Sequence, residues 1–187
     1  MNLNIPSKSE LYEIVLDEKV IHREEKQRTN CSEIINYINN KENIRLFVKK
    51  SFLKMSIEKF ESDYKKIKSK FKNIIPNRFV NGNIFAFCVP IRVKIDIFKE
   101  NLEYLIEVIK NNPKLLKQLK FFIKCYEDFL LELNLDLYEE NLVISDDNKL
   151  YYLDSFLVFH ESSIIRESLE NLLLLKKIVN EIENNKN

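Results

Sequence analysis

Apolar positions recur along the chain with two different periods, and the change of period divides it. Residues 11–23, "LYEIVLDEKVIHR", predict two short strands around the polar break Asp17-Glu18. "CSEIINYINNKEN" (31–43) predicts a short helix, or an insertion before the next strand. "IRLFVKKSF" (44–52) is rich in β-branched and aromatic residues and predicts a strand. From Ser56 to Phe71, Ile57, Phe60, Tyr64, Ile67 and Phe71 fall at helical spacing, and Pro76 ends that segment. "NGNIFAFCVPIRVKI" (81–95) predicts an apolar strand interrupted by Pro90.

Beyond that strand the pattern is mostly helical. Asp96–Lys110 carries Phe98, Leu102, Leu105 and Val108 or Ile109 on one face. Pro113 suits the first turn of the next helix, where its missing N–H costs nothing. That helix, 113–134, is apolar at Leu115, Leu116, Leu119, Phe122, Ile123, Tyr126, Phe129, Leu130 and Leu133, a stripe broad enough for a central, buried helix. "NLVIS" and "LYYLD" then predict a hairpin, and Ser163–Ile182 a last helix with Leu169, Leu172, Leu175 and Val179 in register. The class is α+β, with no internal repeat.

Composition narrows the functions. The chain has 187 residues, 32% of them charged and 45% apolar, a globular balance. A net charge of +1, with both signs interspersed, argues against a nucleic-acid partner bound by phosphate neutralisation. The single glycine, Gly82, excludes glycine-rich phosphate loops as normally written. Cys31, Cys88 and Cys125 lie far apart, which fits burial in a reducing, cytoplasmic setting. His22 and His160 have no partner at metal-ligand spacing. No basic region followed by an apolar run opens the chain, so no signal peptide is expected. No stretch approaches the roughly 20 apolar residues of a membrane span.

Chemistry concentrates in "LDLYEENLVISDDNKLYYLDSF", Leu135 to Phe156. A two-residue turn at Asp147-Asn148 would place Ser145 opposite Leu150, Val143 opposite Tyr152 and Asn141 opposite Asp154. Asp136 stands five residues before Asn141. Mg²⁺ takes one or two such protein oxygens and completes its octahedron with waters and phosphates. A third carboxylate nearby suits proton acceptance from a hydroxyl.

Asp136, Asn141 and Asp154 follow D-x4-N with an Asp thirteen residues after the Asn, a spacing that resembles the catalytic loop and metal-binding Asp of the protein-kinase-like superfamily. The resemblance runs in order from about Arg45 to Phe156. It implies a two-lobed fold: an N-lobe over 1–91 with a small antiparallel sheet and one main helix, and a truncated, mainly helical C-lobe over 92–187 carrying the hairpin. It implies ATP and Mg²⁺ as cofactors, Asp136 as catalytic base, and Asn141 and Asp154 as metal ligands. In "LFVKK", Lys49, or its neighbour Lys50, would pair with the nucleotide phosphates, held by Asp63 or Glu61 of the following helix. Backbone around Cys88–Ile91 would meet the adenine. The acceptor would be a hydroxyl of a sugar, lipid-linked saccharide or other molecule.

The pattern also departs from the superfamily. Asn134 stands where His or Tyr is usual, Leu135 where Arg or Gly is usual, and Tyr138 where protein kinases carry Lys. The triplet Asp154-Ser155-Phe156 lacks its Gly, and the first turn, Asp17-Glu18, is acidic and without glycine. Either another segment, such as the basic stretch "HREEKQRTN", covers the phosphates, or nucleotide binding is weak or lost. With 33 residues after Asp154, a peptide-binding subdomain is not expected, and in this the chain is similar to small bacterial lipopolysaccharide-core kinases. Two other readings stand beside the enzyme: a pseudokinase serving as a binding or regulatory module with a protein partner, and an unrelated, mostly helical interaction protein with an incidental hairpin.

Overall fold

The computed structural model describes residues 22–28, 32–39, 44–51, 57–81, 85–88, 91–130, 135, 137–139, 141–153 and 162–184. The chain is a mixed helix-and-strand protein. It divides into two compact units, one of Met1–Glu61 with Pro76–Val93, the other of Ser62–Ile75 with Lys94–Asn187. The last change of unit along the chain falls between Val93 and Lys94. The segment Ser62–Ile75, expected in the N-lobe, groups instead with the second unit. Its Ile67, Phe71, Ile74 and Ile75 are buried in that unit's core, which accounts for the difference.

The first unit is antiparallel sheet. Strand β1 (His22–Arg28) pairs with β2 (Ser32–Asn39), and β2 with β3 (Ile44–Ser51). The far side of β3 is shared. Val48–Lys50 pair with β5 (Phe85–Cys88), which also pairs with β4 (Arg78–Asn81). Ile44 and Arg45 pair with Arg92 and Ile91 of β6 (Ile91–Asp96).

Two expectations change here. Of residues 31–43, where a short helix or an insertion is expected, Ser32–Asn39 is a strand, paired with β3 along its length and with β1 over Ser32–Ile38. Its Ile34, Ile35, Tyr37 and Ile38 are good sheet formers, and two flanking ladders outweigh local helical propensity. Strand β4, only four residues long, is not foreseen by the pattern, which places Asn81 at the start of one apolar strand over 81–95, where the structure has β5 and β6 as separate strands. The predicted strands of 11–23 lie outside the described residues up to Ile21, and His22 and Arg23 open β1.

The second unit is built on helices. Helix α1 (Ile57–Phe71) passes into a 3₁₀ turn, Lys72–Ile74, so it ends before Pro76 is reached. Helix α2 (Leu102–Lys110) starts later than its apolar pattern suggests, because Asn101 caps it. The Asn101 side-chain oxygen accepts from the amides of Glu103 at 2.8 Å and Tyr104 at 3.4 Å. Helix α3 begins at Pro113 as expected and is described to Leu130. Strands β7 (Leu142–Ser145) and β8 (Leu150–Tyr152) form the hairpin, and α4 spans Ser162–Asn184.

The core of this unit lies between α1, α3, α4 and the hairpin. Phe71 sits 5.6 Å from Phe122 and 5.9 Å from Tyr152, ring centre to ring centre, and Phe122 sits 5.4 Å from Tyr152. Tilted and edge-on rings at such spacings add to the burial gain. Helix α3 supplies Leu115, Leu119, Phe122, Tyr126 and Phe129, as its stripe predicts. Helix α4 turns Leu172, Leu175, Ile178, Val179 and Ile182 inward. Leu169, expected in that stripe, is 40% exposed, and its place on the buried face is taken by Ser168. Cys125 is buried as expected, and burial, with the nearby Asp128 carboxylate, pushes its thiol above the ordinary range.

Candidate functional site

The site is a loop and a hairpin foot following α3. The loop backbone is held by side chains rather than by a ladder. The Tyr126 hydroxyl, from α3, donates to the Leu135 carbonyl. The Leu137 amide donates to Ser168 Oγ at 3.0 Å, and Asn171 Nδ2 donates to the Leu137 carbonyl at 2.9 Å. Leu135 and Leu137 are themselves buried. A turn follows, in which the Asn141 amide donates to the Tyr138 carbonyl at 3.2 Å.

The hairpin register differs by one residue from the expected one. Leu142 pairs with Tyr152, Val143 with Tyr151 and Ile144 with Leu150. The Leu153 amide donates to the Asn141 carbonyl at 2.7 Å, so Asn141 stands opposite Leu153 and not Asp154. The cause is the turn. Three residues, Asp146-Asp147-Asn148, connect Ser145 to Lys149, whose carbonyl accepts from the Ser145 amide at 2.9 Å. Asn148 has φ of 54°, the left-handed conformation that closes a three-residue hairpin loop.

Hydrogen bonds and charge reinforce this turn. Ser145 Oγ accepts from the Lys149 amide at 3.2 Å and also bonds Asp147, which is ion-paired with Lys149. Burial pulls the Asp147 carboxyl upward, but hydrogen bonds from Lys149 and Ser145 outweigh it and leave the group below its ordinary value. Gln118 of α3 accepts from the Leu150 amide at 3.2 Å, tying the hairpin to that helix.

On its other side, β7 runs beside β6. The Ile97 amide donates to the Leu142 carbonyl at 3.1 Å, and Lys99 lies 3.9 Å from Glu139. Asp96 is buried, its carboxylate accepting from the Phe98 amide at 3.3 Å, which turns the chain out of β6.

Asn141 is 6% exposed, at the foot of β7. Asp136 and Asp154 lie outside the described residues. In the first unit, Lys49 occupies a register position between Ile34 of β2 and Ala86 of β5, and Lys50 one between Glu33 and Phe85. Both are thus on an interior strand, at consecutive positions of the ladder. On α1, Glu61 is exposed and Asp63 partly buried. Of the Cys88–Ile91 segment, Cys88 closes β5 and Ile91 opens β6. Among the described residues, no group of three or more His, Cys, Asp or Glu is placed to hold a metal.

Sequence reasoning missed Ser168, Asn171 and Tyr126 as loop anchors. Ser168 left a signal: it precedes Leu172, Leu175 and Val179 at helical spacing, a polar residue in an apolar stripe. The chain matches no protein-family model and no curated protein. No helix among the described residues is long and apolar enough to cross a membrane.

Proposed function

We propose that the chain is a two-lobed, kinase-like phosphotransferase that moves the γ-phosphoryl group of ATP to a hydroxyl acceptor. The observation that carries this reading is the anchored loop after α3, which leads within a few residues to a buried Asn141 at the foot of a hairpin. Leu153, opposite Asn141, is followed directly in the chain by Asp154.

Asp136 orients the acceptor hydroxyl and takes its proton. An amide oxygen from Asn141 and a carboxylate from Asp154 are the hard donors that Mg²⁺ prefers. Bound there, the ion neutralises charge on the phosphates. Lys49 or Lys50, steadied by Glu61 or Asp63, binds the phosphates. Catalysis of this kind is mostly positioning and charge stabilisation, which a loop fixed before substrate arrives supplies.

A pseudokinase is the second reading, favoured by the acidic, glycine-free pair Asp17-Glu18 at the place where the resemblance calls for a glycine-rich turn. Transfer of labelled phosphate from ATP to a panel of sugar and saccharide-lipid acceptors separates the two. Asp136→Ala abolishes transfer while nucleotide binding persists. Full activity in that variant overturns the assignment of Asp136.

A further inference from the structure

We propose that Ser168 and Asn171 of α4 are positioning residues for the loop that carries Asp136, an inference that rests on the phosphotransferase reading. The two stand three positions apart on α4, which places them on one helix face. Both are spent on one residue, Leu137: Ser168 accepts from its amide and Asn171 donates to its carbonyl. Leu137 follows Asp136 directly in the chain. On the near side of Asp136, the Leu135 carbonyl is taken by Tyr126.

Side chains thus fulfil the role that a strand ladder has elsewhere. A helical serine can instead bond the carbonyl four residues back on its own helix. Ser168, 2% exposed, spans 31 residues of sequence to reach the loop. Without its hydroxyl, a buried amide loses its acceptor. The loop then has reason to shift, and a displacement of about 1 Å in a catalytic group costs on the order of a hundredfold in rate.

The test uses the full chain with Ser168→Ala, Ser168→Thr, Asn171→Leu and, as an exposed control on the same helix, Leu173→Ala. Ser168→Ala and Asn171→Leu lower kcat about tenfold to a hundredfold at unchanged KM for ATP, while Ser168→Thr, which keeps the hydroxyl, and Leu173→Ala retain it. Amide exchange at Leu137 accelerates in Ser168→Ala and not in Leu173→Ala. If the wild type transfers phosphate and Ser168→Ala keeps full kcat, the positioning role is overturned alone. If the wild type transfers none, both readings fall, and protection of the Leu137 amide then reports only a structural tie.

Discussion

The Leu153 amide donates to the Asn141 carbonyl at 2.7 Å, and this one bond fixes which residues face each other at the foot of the hairpin. It makes Asp154 the neighbour of Asn141's partner rather than the partner itself. The register in turn depends on a left-handed Asn148 in a three-residue turn.

Replacing Asn148 tests that dependence. A β-branched residue there opposes positive φ, so Asn148→Val destabilises the protein by about 1–2 kcal/mol, whereas Asn148→Gly is neutral or slightly stabilising. Urea denaturation followed by circular dichroism measures both. Equal stability of the two variants contradicts the turn geometry.

The same turn has an acid limb. Asp147 is held below its ordinary value of 3.8, so its contribution to stability is full above that pH and disappears as pH falls through the lower folded value. Both members of the ion pair are more than a third exposed, so the effect stays under about 1 kcal/mol. Asp147→Asn is therefore slightly less stable than wild type at neutral pH, and the two converge as the pH falls through the lowered folded value. A gap that widens on acidification runs against this sign.

Phe71 links α1 to the hairpin through Phe122 and Tyr152. Phe71→Ala is expected to cost about 3–5 kcal/mol. Tyr126→Phe removes only the hydroxyl that holds the Leu135 carbonyl and costs on the order of 1 kcal/mol. Differential scanning calorimetry ranks the two. A Phe71→Ala loss no larger than that of Tyr126→Phe contradicts the packing described.

The long elements were legible because their periods are long. Helices α1, α3 and α4 declare themselves over many residues, and a broad stripe on α3 foretells its burial. Short elements did not. Strand β2 reads locally as a helix and is decided by β1 and β3 on its flanks. The hairpin register depended on one backbone angle, at a residue that a two-residue turn would also accept. Spacing in the sequence brought Asp136, Asn141 and Asp154 forward, but the anchors Ser168 and Asn171 come from the other end of the chain. Hydrogen bonds across some thirty residues leave no local pattern beyond a serine among leucines.

The central claim is Mg²⁺-dependent nucleotide binding through Asp154, and thermal unfolding of the full chain with ATP tests it most directly. With Mg²⁺ present and ATP at about ten times its Kd, the melting temperature rises by roughly 3–6 °C. The rise disappears in Asp154→Ala and when Mg²⁺ is withdrawn. No shift at millimolar ATP, or a shift that Asp154→Ala leaves unchanged, contradicts the account.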